Sequence, residues 1–480
     1  MIPIGETQDG RADMTNFEMD LFDTRMSNYK ADKDEEQCCS SSRNRIIKPA
    51  CLPITIVSLF IITLVFLPLF NEEDLEAPTK LSAYCDASCN FQIVESIPTG
   101  LTFTSGDVHN RTHLAWIDLI DNAQNYIDIA ALYWNLNESD YKTSIYGKSV
   151  FQSLINAGKR GVRIRIAQDV SKGLSSNSDS KYLLDHKLAE VRTLNFSRLV
   201  GSGVLHTKFI IVDLKNIYLG SANMDWKSLS EVKELGFTAK DCPCLATDLF
   251  KIFAVYWRLG EDAKIPDKWP ISYRTTFNID TPMPVMINNQ SSQVFLSSSP
   301  GPFNPKGRAH DLDAIKYVME KANRFVYVAV MDFLPQTLYM QNNSYWPALD
   351  DALRSAAFNG KHVHLLISNW AHSRPSEIVF LKSLIGINGA LKKGSIKVKL
   401  FTVPATKEQS EIPFARVNHN KYMVSDVHGY IGTSNWAGDY FITTAGVGFI
   451  VETEGENNIR QQLQSIFERD WNSEYAQELV

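Results

Sequence analysis

Two polar clusters 213 positions apart repeat one pattern, and no other feature of this chain constrains its fold as tightly. His206-x-Lys208-x4-Asp213 is followed by Gly220, Ser221 and Asn223. His419-x-Lys421-x4-Asp426 is followed by Gly432, Thr433, Ser434 and Asn435. Their surroundings repeat too. YIDIAALYW (126–134) is echoed by FVYVAVMDF (325–333), GKRGVRIRIA by NGKHVHLLIS (359–368), and LFKIFAVYW (249–257) by LQSIFERDW (463–471). The offset grows from 199 to 214, so order is kept and only loops differ. One apolar run is ordinary in a chain alternating strands and helices, whereas four in register indicate duplicated halves. The predicted class is α/β: two similar halves, 91–275 and 276–480, packed about a pseudo-twofold axis, with the Pro-rich stretch 270–286 at their boundary.

In a strand, residues two apart point to one face, so each His–Lys pair projects together while Thr207 and Asn420 point away. A site between the halves then assembles two His, two Lys and two Asn. Lys and Asn donors, with Ser221, Thr433 and Ser434, suit the oxygens of a phosphodiester and the charge that builds in its transition state. Two imidazoles divide the remaining labour. One attacks phosphorus to give a covalent phosphohistidine; the other protonates the leaving oxygen and then activates water. Carboxylates orient the rings, which puts Asp213 and Asp426 among the catalytic candidates with His206, Lys208, His419 and Lys421. No metal or other cofactor is required, because Lys supplies the positive charge. Tyr440 and Phe441, following the second cluster, are candidates for stacking on substrate bases.

The N-terminal region is of another kind. Residues 50–70 run without a charge, long enough to cross a hydrocarbon core as a helix. Arg43, Arg45 and Lys48 precede this run and Glu72, Glu73, Asp74 and Glu76 follow it, so the positive-inside rule places the N-terminus in the cytosol. The expected layout is a disordered tail (1–48), a signal-anchor (49–70), a lumenal stalk (71–90) and the two halves. Cys38 and Cys39 are palmitoylation candidates. Beyond the span remain four cysteines, Cys85, Cys89, Cys242 and Cys244, an even set suited to disulfides in an oxidising compartment. A Cys242–Cys244 bridge would be strained, which favours two bridges from the 85/89 pair to the 242/244 pair over a four-cysteine zinc site. The sequons at Asn110, Asn137, Asn195, Asn289 and Asn342 all follow the span. A hydrophobic content of 44% excludes a disordered chain, and a net charge of −6 excludes a global basic field for nucleic acid.

The duplicated HxKxxxxD–Gly–Ser/Thr–Asn cluster resembles that of the phospholipase D superfamily. VESIP (94–98), GVLHTKF (203–209), LGSANMDW (219–226), VNHNKYMV (417–424) and YIGTSNW (430–436), with the anchor and cysteine placement, most resemble its type II membrane-anchored members 3 and 4. The resemblance covers residues 91–480. It implies a 5′ exonuclease acting on single-stranded DNA and RNA in the lysosome lumen, reached through the endoplasmic reticulum, Golgi and endosomes, with release as a soluble form and a homodimer both compatible. The alternatives are a phospholipid head-group hydrolase or transphosphatidylase using the same site, and an inactive membrane glycoprotein. Glu234 resembles the acid that contacts the catalytic His in simpler members, whereas the second half has Thr444, Ala445 and Gly446 there. A carboxylate beside an imidazole favours its charged form, which assigns His206 as acid/base and His419 as nucleophile.

Overall fold

The β-branched and aromatic runs form strands, and the stretches of helical spacing between them form the crossovers. The structure, a computed structural model, describes residues 88–480 except 105, 107, 108, 139, 171–176 and 341. The tail, the apolar stretch 49–70, Cys38, Cys39 and Cys85 lie outside the described residues. Among the described residues no helix is long and apolar enough to cross a membrane. In the first half the strands run, neighbour by neighbour, Ser88–Ser96, Glu234–Lys240, Asn216–Gly220, Phe209–Val212, Tyr126–Ala131, Arg163–Asp169 and Glu190–Leu194. The second half repeats that order with Gln290–Ser299, Gly446–Thr453, Gly429–Gly432, Lys421–Ser425, Phe325–Val330, His362–Ser368 and Ser395–Phe401. The last three strands of each series are parallel. Parallel neighbours need long crossovers, supplied by helices such as Ile145–Lys159 and Ala348–Phe358.

Two boundaries move. Ser88–Asn90, expected in the stalk, already belong to the first strand. Met283–Ile287, at the edge of the Pro-rich boundary, is itself a strand that pairs antiparallel with Gln290–Ser299 and parallel with Ser88 and Cys89. The two halves therefore share hydrogen bonds as well as a core. Phe91 and Phe237 of the first half stack at 4.4 Å, and Phe449 of the second lies 4.6 Å from Phe237. Buried ion pairs cross between the halves, among them Arg308–Asp248 at 2.6 Å, Arg469–Glu95 at 2.7 Å and Arg416–Glu231 at 3.0 Å. Breaking one would leave an uncompensated buried charge. Cys89 is disulfide-bonded to Cys242, which ties the first strand to the start of the helix Pro243–Asp262; Cys244 is also disulfide-bonded.

The twofold relation shows in reciprocal backbone contacts. Leu205 bridges Ala445 in parallel, and Asn418, the counterpart of Leu205, bridges Lys233 in parallel. When one half's residue meets its partner and the equivalent pair meets in reverse, the interface is that of a twofold.

Candidate active site

Each histidine enters the site along a segment pinned to the opposite half. The His206 N–H donates to the Ala445 carbonyl at 3.0 Å, and the His419 N–H donates to the Lys233 carbonyl at 2.8 Å. The side chains then differ. His206 Nδ1 lies 2.8 Å from the Thr433 carbonyl oxygen, which can only accept, so Nδ1 carries the proton. His419 Nδ1 lies 2.8 Å from Glu234 Oε2, while Glu234 Oε1 accepts from Ser228 Oγ at 2.8 Å. Both rings thus present an unprotonated or exchangeable Nε2, and among the described residues neither Nε2 has a partner.

Lys208 Nζ and Lys421 Nζ each donate to the carbonyl of the histidine two residues earlier, at 2.7 and 2.8 Å. Both are buried. Burial, then the facing Lys421, holds Lys208 well below the usual lysine range. Burial brings Lys421 down to about 8, opposed by Glu234 and Asp332. Burial likewise pushes His206 well down, reinforced by Lys208 and Lys421, so its ring is neutral. His419 is lowered by burial too, but there Glu234 opposes the shift. Glu234 stays a carboxylate: burial raises it, and the charges of His419 and Lys421 together with the His419 hydrogen bond outweigh that.

Asn435 Nδ2 donates to Asp332 at 3.0 Å and to the Tyr440 hydroxyl at 3.2 Å. A cavity of about 450 Å³ opens beside His419 and Glu234, lined by Asn223 and Tyr133 of the first half and by Met331, Trp370, Phe414 and Val417 of the second.

Several expected roles change. Glu234 bonds His419, not His206, because its strand runs along the seam between the halves; the premise that made His206 the acid/base is removed. Asp213 and Asp426 lie outside the catalytic cluster. Five residues beyond the lysine in an extended chain is roughly 16 Å. There Asp213 accepts backbone N–H groups of Gln124, Asn125 and Tyr126 at 2.7–2.8 Å, and Asp426 those of Asn323 and Arg324. They fasten the turn that feeds the neighbouring strand. Ser221 exchanges hydrogen bonds with the Leu235 backbone, Thr433 Oγ1 accepts from Val447 N–H, and Ser434 Oγ faces Asp311, so these three hold the frame. Tyr440 and Phe441 are buried in a short helix, Asp439–Ile442, and cannot stack on a base. Tyr440 instead sets its ring edge-on against His206 at 5.1 Å. Asn137, Asn195, Asn289 and Asn342 are exposed, and Asn110 is half-buried.

A family model described as "PLD3/4, PLD-like domain" matches residues 105–406. The chain is 54% identical to the probable phospholipase D F09G2.8 of Caenorhabditis elegans, over 99% of this chain and 89% of that one. It is 43% identical to the human protein named 5′-3′ exonuclease PLD3, over 87% and 86%. The chain belongs to the phospholipase D superfamily, in its PLD3/4-like branch. It is a phosphodiesterase of that superfamily. The fold is also that of a phosphatidylserine synthase from Haemophilus influenzae, at TM-score 0.50 and 13% identity, over 76% of this chain and 85% of that one.

For this superfamily member, sequence reasoning missed Asp332, Asp225, Trp370 and Phe414, and ranked Tyr133, an aromatic flanking the motif strands, below Tyr440 and Phe441. Asp332 and Tyr133 had a signal: they occupy one position in the echoed runs 126–134 and 325–333. Tyr133 donates to Asp225 at 2.7 Å as Asn435 donates to Asp332. Trp370 and Phe414 have no counterpart in the repeat and were invisible to it.

Proposed function

We propose that the chain is a lumenal 5′ exonuclease of single-stranded DNA and RNA that works through a phosphohistidine, with His206 as nucleophile and His419 as acid and base. The observation that carries the role assignment is the unequal partnering of Nδ1. Burial beside two lysines keeps the His206 ring neutral, and the carbonyl holds its proton on Nδ1 so that the Nε2 lone pair is available; a carboxylate stabilises the imidazolium that His419 becomes. His206 Nε2 forms a bond to phosphorus as the bond to the leaving oxygen breaks, and His419 Nε2–H gives that oxygen its proton. His419 then takes a proton from water, whose oxygen attacks phosphorus and releases His206. Lys208 and Lys421 neutralise the equatorial oxygens throughout. The human and Xenopus laevis relatives named 5′-3′ exonuclease support nucleic acid as substrate. The Cys89–Cys242 bridge and the exposed sequons support an oxidising, glycosylating compartment.

The test is acid-quench trapping with single-stranded oligonucleotides followed by peptide mass spectrometry. A nucleotidyl adduct on His206 is expected; an adduct on His419 would reverse the roles. Oligonucleotides bearing a 5′-hydroxyl should be degraded from that end and a 5′ block should slow them. Turnover of phospholipid with no digestion of oligonucleotide would move the reading to the lipid enzyme.

A further inference from the structure

We propose that Phe414, backed by His372 and Trp370, is the platform on which the nucleobase next to the scissile phosphate stacks. The inference rests on the nuclease reading above and specifies where that substrate's base is held. Phe414 is 49% exposed, a large apolar ring left in water beside a buried catalytic centre. It lines the same cavity as His419 and Glu234 and also borders a second cavity of about 380 Å³, so it stands on the ridge between them. Its ring lies parallel to that of His372 at 4.6 Å and 17°, and the Trp370 ring meets His372 edge-on at 4.7 Å.

The chain goes to some trouble to hold the ring there. Phe414 has φ +55°, a left-handed conformation that costs a bulky residue and persists only where its surroundings impose it. On either side of it, Ile412 and Ala415 pack on Trp226 of the first half. Arg416 is buried and anchored to Glu231 Oε2 at 3.0 Å and to the Thr99 carbonyl at 3.0 Å. These anchors fix the loop and turn the aromatic outward. A ring already stacked on one face and exposed on the other is what an unpaired base requires. Among its apolar lining the second cavity also offers Asn369, Thr402, Gln409 and Ser410, donors and acceptors that suit the edges of a base.

The experiment compares wild type, Phe414→Ala, Phe414→Gly and Phe414→Trp on two oligonucleotides, one with a normal 5′-terminal nucleotide and one whose terminal nucleotide is abasic. Loss of one stacked base should lower kcat/KM about tenfold for Phe414→Ala on the normal substrate and less than about threefold on the abasic one, through KM. Phe414→Trp should retain activity. Phe414→Gly should lose the same selectivity while its Tm holds or rises, since glycine relieves the left-handed strain and separates a stacking role from a folding one. Equal losses on both substrates, or none on either, would overturn the platform while leaving the nuclease intact. Failure of wild type to digest either oligonucleotide would overturn the nuclease reading and the platform with it.

Discussion

The two halves carry the same strand order and the same His–Lys pairs, yet their histidines meet different partners. Glu234 opens one seam strand and Gly446 opens its counterpart, at equivalent register relative to Gly236 and Gly448. A carboxylate in the first half therefore reaches His419 of the second, and a backbone carbonyl of the second reaches His206 of the first. The protein has kept a symmetric scaffold and given its two histidines unlike partners. Two chemically identical imidazoles can thereby do unlike work in one reaction.

The largest expected effect comes from splitting the histidines. His206→Ala should lower kcat by at least about 10⁴-fold with every phosphodiester. His419→Ala should be as damaging with an oligonucleotide, but should partly recover on a nitrophenyl phosphodiester, whose leaving group needs no proton, and should accumulate a covalent adduct on His206. Parallel behaviour of the two variants would break the comparison. Glu234→Gln should cost about 10²-fold in kcat with oligonucleotides and much less with the nitrophenyl ester, since it acts through His419. A uniform loss on both would mean that Glu234 only supports the fold.

A third test asks whether the missing carboxylate at 446 is a matter of space. A Cβ on Gly446 would fall 2.1 Å from Ser434 Oγ and 2.9 Å from Ser299 Oγ. Gly446→Ala should therefore destabilise by about 1–3 kcal/mol in chemical denaturation, while the matching strand tolerates a full glutamate side chain. The smallest effect concerns charge. Lys421, lowered to about 8, is protonated below that pH and neutral above it. Inhibition by inorganic phosphate should weaken as pH rises through 8, by up to about tenfold per unit, and the trend should vanish in Lys421→Arg. A flat response in the wild type would mean that the charge on Lys421 does not set phosphate binding.

Much of the frame was legible in the chain. The echoes at 126–134, 158–167, 203–225 and 249–257 reappear as equivalent strands and helices, because strand and helix periodicity are local properties. The His and Lys pairs were legible for the same reason. The aspartates were read wrongly: identity of spacing shows that a residue has a job, and only the register shows that Asp213 and Asp426 bind backbone amides at the far strand ends. Tyr440 was also misplaced, since a sequence does not tell an exposed loop from a short buried helix capped by long-range contacts. Asp439, which heads that helix, accepts backbone N–H groups of Tyr339 and Met340, about a hundred residues away.

By itself the sequence determined the duplication, the α/β class and the residue types that meet the phosphate, since all three follow from short-range pattern and from chemistry carried by single side chains. Tertiary structure decided which carboxylate serves which histidine, which motif residues are frame, and which aromatic faces the cleft. Those choices depend on how two sheets meet across a seam, and contacts between residues 185 to 227 positions apart leave no trace in local periodicity.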